Sequence, residues 1–165
     1  MIVSDIRTHL LSVPYSDPPK TGVASFSSLE SNINLLVVEI ETDSGTVGTG
    51  HLHPIAGGMR TLDTCIHEML KPLLLGEDAT QVESLWQKMW AATYIQGRMG
   101  ITVMAMSALD VALWDALGRS KGKPLWELWG GSPDPLPIYG SGCFRGLGHD
   151  GMIEKAKRYV QRGFK

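Results

Sequence analysis

The chain is expected to fold as α+β: a β-meander, then a layer of helices, then the opening of a βα unit. Three observations lead there. Residues 32–41, NINLLVVEIE, are apolar and β-branched, and turn residues follow them. Beyond residue 58 the apolar residues recur at helical spacing. At GSPDPLP, Gly131–Pro137, the composition shifts to proline and glycine, as in a linker. Residues 1–130 therefore form one domain and residues 131–165 the linker and start of another.

The elements follow in order. Ile2–Val13 reads as a strand. PYSDPPKTGVASFSSLES is a polar loop with three prolines, long for a compact domain, and loops of that length are usually functional or disordered. Asn32–Glu41 is a buried strand, TDSGTVG supplies a hairpin turn, and Thr46–His51 returns. Met59, Leu62, Ile66, Met69, Leu70 and Leu73 mark a helix. Thr80 and Glu83 have capping-box spacing ahead of Val82, Leu85, Trp86, Met89 and Trp90. A third helix, about Ile101–Leu117, is apolar nearly all round and so should be central. KGKP ends it and PLWELWGG makes a short turn. After the linker come a strand at Ile138–Gly142, a glycine-rich loop and a helix carrying Met152, Ala156, Tyr159 and Val160 on one side.

Composition narrows the function. The 165 residues are 43% hydrophobic and 19% charged, enough apolar surface for a core. A net charge of −2 argues against a nucleic-acid or anionic-membrane partner, which call for a basic face. Cys65 and Cys143 form no CxxC pair and fit reduced thiols of a cytoplasmic protein. MIVSDIRTHLL lacks the pattern of a signal peptide, and no stretch reaches the ~18 apolar residues of a membrane span.

Two aspartates interrupt the third helix, in MSALDVALWDALG. Asp110 and Asp115 are five residues apart, about 140° around a helix at about 100° per residue. They cannot converge on one small substrate as an acid–base pair. Ser107, Asp110 and Trp114 share one face; Asp115 lies on another. A carboxylate in an apolar helix must be paired or hydrogen-bonded, so each is expected to tie the helix to neighbouring backbone or to an arginine. On that reading Asp110→Ala destabilises the fold.

Two short patterns are weaker. GLGHDG, Gly146–Gly151, matches G-x-G-x-x-G between a strand and a helix, but its glycines begin several residues after the strand; a βα loop suits it better than a nicotinamide site. GHLHP sets His51 and His53 two apart at a strand end, where both side chains face one way. That spacing suits two metal ligands, with no third evident.

GRMGITVMAMSALDVALWDALGRSKGKPLWELWGG, Gly97–Gly131, resembles the signature of the mandelate racemase/muconate lactonizing branch of the enolase superfamily. The similarity extends along the chain, from the meander to PIYGSG. It implies an N-terminal capping domain leading into the first βα unit of a (β/α)8 barrel otherwise absent from these residues. It implies an enzyme that uses Mg2+ to stabilise an enediolate formed by removing a proton α to a carboxylate: an acid-sugar dehydratase or a racemase/epimerase, or else a cycloisomerase. A binding or dimerisation module is the reading from another class. A homo-oligomer acting on a small carboxylate is expected.

The resemblance also assigns residues. RGFK is similar to the approach to the second barrel strand, so Lys165 precedes the catalytic lysines and is not one of them. The bases and the carboxylates for Mg2+ are expected beyond Lys165, leaving no catalytic or metal residue in this chain and no turnover by it alone. His51 and His53 fall in a cap loop over the barrel mouth, where one of them contacts substrate or stays solvated. Residues 16–31 become a mobile lid, from which Lys20 meets a substrate carboxylate or stays in water. Ser141 stands at the C-terminal end of the first barrel strand, the active-site face of such barrels, and Arg145 follows in the same loop as a carboxylate partner or a solvated arginine.

Overall fold

The computed structural model describes residues 1–14, 32–54, 58–142 and 147–164. Three strands come first: β1, Val3–Pro14; β2, Asn32–Thr42; β3, Val47–Leu52. They form one sheet in the order β1-β2-β3, as the meander requires. β2 and β3 are antiparallel, with Val38 opposite Gly50 and Ile40 opposite Gly48. The hairpin closes through Thr42 N–H to the Thr46 carbonyl at 3.0 Å. On the inward face lie Leu36, Val38 and Ile40, all fully buried.

The helices are α1, Met59–Thr64; a π-helical stretch, Cys65–Leu70; α2, Lys71–Leu74; α3, Val82–Ala92; α4, Ile101–Lys121; α5, Leu125–Leu128; and α6, Gly148–Gln161. The first helix of the sequence reading is thus an α–π–α run. Lys71 fastens α2 to β1: its ammonium bonds Asp5 Oδ1 at 2.6 Å and the Ile6 carbonyl at 2.7 Å. The Lys71 hydrogen bond also holds the Asp5 carboxyl below the usual carboxylate range.

α4 is the centre of the fold. Ala105, Met106, Ala108, Leu109, Ala112, Leu113 and Ala116 are fully buried. β3 approaches it closely because both surfaces are small. A Cβ on Gly50 would lie 2.0 Å from the Ala108 carbonyl oxygen, and one on Gly48 would lie 2.1 Å from that of Ala112. Only hydrogen at those two positions permits the contact. α4 extends past the expected Leu117 to Lys121, where Gly122, at φ +61°, lets the chain turn back. Its 18-residue window of mean hydropathy 1.4 is long and apolar enough to cross a membrane, contrary to the expectation that no stretch would be. More than half of that stretch is buried in the domain core, where its apolar side chains pack against the sheet and the neighbouring helices.

Four further expectations change. Thr80 and Glu83 form no capping box. Asp78 takes both the Thr80 N–H and its hydroxyl, at 3.0 and 2.9 Å, and α3 starts after Gln81 with no side-chain cap. Residues 138–142 form no strand; a strand needs a neighbour for its N–H and C=O groups, and none pairs with them among the described residues. α6 begins at Gly148, so residues 148–151 of GLGHDG lie in the helix rather than in a loop before it. Asp110 has no hydrogen bond or ion pair among the described residues. It is half-buried beside Trp86, Gln87, Trp114 and Glu83, and burial pushes its carboxyl pKa up. Trp114 is half-buried and forms a T-shaped pair with Trp129, with ring centroids 5.4 Å apart. Asp115 behaves as expected: Oδ2 accepts the Thr49 N–H at 2.8 Å and the Arg119 Nε–H at 2.7 Å.

The chain divides into two compact units. One holds Met1–Ser12 and Asn34–Ser132; the other holds α6, the segment before it from Pro133, and Val13, Pro14, Asn32 and Ile33 at the ends of β1 and β2.

Candidate functional site

In the first unit the candidate residues are His51 and His53. Alternation along β3 sends Gly48, Gly50 and Leu52 inward, so His51 projects outward from the sheet, exposed and opposite Val37. His53 follows the last strand residue and is half-buried. Its Nδ1 lies 2.7 Å from the carbonyl oxygen of Asn34 on β2. A carbonyl only accepts, so Nδ1 carries a proton, and in that tautomer Nε2 is the lone-pair acceptor. Nε2 has no partner among the described residues. The ring is therefore fixed in position and in tautomer while one nitrogen stays available.

Ser141 lies in the second unit and is exposed. Its carbonyl accepts the Tyr159 hydroxyl of α6 at 2.6 Å. The YGSG sequence explains the fit: a Cβ on Gly140 would stand 2.9 Å from the Tyr159 ring, and one on Gly142 would stand 2.5 Å from its hydroxyl. The two glycines let the helix settle on the segment and fix the backbone that carries Ser141. Lys20, Arg145 and Cys143, with the lid at residues 16–31, lie outside the described residues.

Among the described residues no group of three or more His, Cys, Asp or Glu is placed to hold a metal ion. His51 and His53 thus gain no third ligand there, and the described residues do not fit a magnesium site. Cys65 is free and buried, and burial raises its thiol pKa.

Sequence reasoning missed the Asn34 carbonyl and Tyr159 as positioning groups. The first is a backbone atom 19 residues away in sequence, and only the strand register brings it to His53. The second had a signal: Gly140 and Gly142, two residues apart, leave room for a ring.

A three-stranded meander packed on a central helix through facing glycines and alanines, with a fixed histidine past the third strand, defines an α+β capping domain. Residues 7–130 match the family model described as Mandelate racemase / muconate lactonizing enzyme, N-terminal domain, and the chain belongs to that family. Similar proteins include the 3,6-anhydro-alpha-L-galactonate cycloisomerase of Streptomyces coelicolor, 32% identical across 99% of this chain and 45% of its own length. Another is the arabinonate dehydratase of Saccharolobus solfataricus, 36% identical across 99% of this chain and 44% of its own. Among solved structures, a racemase from Streptomyces coelicolor A3(2) with bound magnesium superposes at a TM-score of 0.86, with 32% identity over 99% of this chain and 45% of that one. The chain spans less than half the length of these relatives.

Proposed function

We propose that this chain is the capping portion of a Mg2+-dependent enzyme that removes the proton α to a carboxylate, acting as a dehydratase or racemase/epimerase on an acid sugar. The observation that carries this reading is the fixed His53 ring. Its Nε2, unpartnered among the described residues, is an acceptor suited to a substrate hydroxyl, and its place just past β3 suits a cap that meets substrate. The similarity to an arabinonate dehydratase supports the substrate class. Ser141, Lys20 and Arg145 are proposed as further substrate contacts. Magnesium, which stabilises the enediolate in this chemistry, and the lysine bases are assigned to the stretch that relatives have and these residues lack. On this reading the 165 residues alone turn over no substrate, and the whole enzyme is a cytoplasmic homo-oligomer.

The test is exchange of the α-proton in D2O, followed by NMR over a panel of acid sugars with Mg2+. The whole gene product should exchange and the 165-residue chain should not. In the active protein His53→Ala should lower kcat/KM by about tenfold or more with the fold retained. Turnover by the chain alone, or an unchanged His53→Ala enzyme, would refute the corresponding part. A cycloisomerase is the second reading, favoured by the 32% identity with one over nearly the whole chain. Mass spectrometry separates them: a dehydratase product has lost water, whereas a cycloisomerase product keeps the substrate mass and changes its ring.

A further inference from the structure

A cleft of about 480 Å3 opens between α1, the π-helical stretch and the first turn of α4. No part of the proposed reaction uses it. Its lining includes the half-buried Met69 and Ile101, the exposed Arg60 and Glu68, and Cys65, 6% exposed.

Two independent features of the lining favour an anion. The first is the start of α4, a 21-residue helix. Its N-cap residue, Gly100, has no side chain, and no side-chain hydrogen bond caps the first turn. The N–H groups there carry the positive end of the helix dipole. The second is Thr102, in that turn and lining the cleft. It is 7% exposed, and its hydroxyl has no hydrogen-bond partner among the described residues. No side-chain nitrogen or oxygen among them is both sealed from solvent and unpartnered, so this hydroxyl reaches solvent, and the cleft is the open space beside it. An unpartnered hydroxyl on a nine-tenths buried residue that lines open space is a donor awaiting an acceptor. The Arg60 guanidinium, without an ion pair among the described residues, adds positive charge to the lining.

The remaining lining narrows the class. Met69 and Ile101 provide apolar contact for a hydrocarbon body, and the Glu68 carboxylate repels a second negative charge. We propose that this cleft binds an organic monocarboxylate, its head on the first turn of α4 and the Thr102 hydroxyl, its apolar body against Met69 and Ile101. The inference stands apart from the catalytic reading and survives its failure.

Hexanoate is the probe. Added to the 165-residue chain, it should shift the amide resonances of Ile101, Thr102 and Val103 in a saturable manner. In a Cys143→Ser background it should slow iodoacetamide alkylation of Cys65 by about threefold or more at saturation. Succinate and inorganic phosphate should do less at equal concentration, and Glu68→Gln should narrow the gap for succinate. Thr102→Val and Arg60→Gln should each raise the hexanoate Kd by about fivefold. Circular dichroism checks the fold of each variant, and if Thr102→Val unfolds, Arg60→Gln decides alone. Absence of a saturable shift, phosphate binding as tightly as hexanoate, or an unchanged Kd in the folded variants would overturn the proposal.

Discussion

The Asp115 carboxylate accepts the backbone N–H of Thr49 at 2.8 Å, joining the central helix to the last strand of the sheet. β3 lies at the sheet edge, with β2 on one side only. An edge N–H facing away from its neighbour needs an acceptor from elsewhere. Asp115 provides one and is itself held by Arg119 one turn later. Asp115→Ala should therefore destabilise the domain by about 0.5–1.5 kcal/mol in chemical denaturation, mainly through the lost hydrogen bond to the exposed Thr49 N–H. Arg119→Ala, removing a largely exposed partner, should cost less than about 1 kcal/mol. Equal costs for the two would show that the ion pair, and not the strand contact, is what matters.

Gly50→Ala should be among the most damaging single changes available. The added methyl carbon would overlap the Ala108 carbonyl oxygen, which belongs to helix backbone and cannot rotate away. Overpacking of this kind costs about 1–3 kcal/mol or more. A melting curve of Gly50→Ala against Thr49→Ala, on the opposite face of the same strand, isolates the steric effect. Similar melting temperatures would mean that sheet and helix separate more readily than their contact suggests.

Asp110 carries a pH signature. Its carboxyl is pushed up by burial, with no partner among the described residues to offset it. Between the ordinary carboxylate value and that raised one, the folded chain holds a proton the unfolded chain has released. Stability from this residue is therefore lost as pH rises through the window. Asp110→Asn should remove that slope and leave the domain at least as stable at neutral pH. Denaturation midpoints measured from acid to neutral pH test this. A neutral-pH loss in Asp110→Asn would restore the paired-carboxylate reading.

The two aspartates show what was legible in the sequence and what was not. Their angular separation excluded a joint catalytic role, and the structure places them on different faces. Asp115 met the backbone as expected. Asp110 did not, because a carboxylate's partner depends on which neighbouring helix arrives, and periodicity does not encode that. The meander and α4 were readable because their patterns are long and repetitive. Residues 138–142 looked like a strand by composition, yet a strand exists only when hydrogen-bonded to another. His53 was legible as a candidate; the carbonyl that orients it was not.

From the linker onward, Leu136, Ile138, Tyr139 and Val160 are 83%, 73%, 79% and 70% exposed. Such apolar exposure favours association. The 165-residue chain should self-associate in sedimentation velocity, and truncation near Pro135 should shift it toward monomer while keeping the melting transition of the sheet and α4. A truncated chain that still associates would move the sticky surface into the first unit.

The π-helical stretch between α1 and α2 explains a spacing that an ideal helix would not tolerate. Leu62, Ile66, Leu70 and Leu74 are each fully buried, and each lies four residues from the next. On a regular α-helix every such step advances about 40° beyond a full turn, so three steps would carry the stripe about a third of the way round. A wider turn holds more residues per revolution and takes that advance back. The segment works like a vernier between two rulings, keeping a four-residue repeat in phase with one side of the core. Length changes should accordingly be asymmetric: removal of one residue within Cys65–Leu70 can be absorbed by tightening to α-helix, whereas removal within α4 would rotate every later side chain by about 100° away from β3.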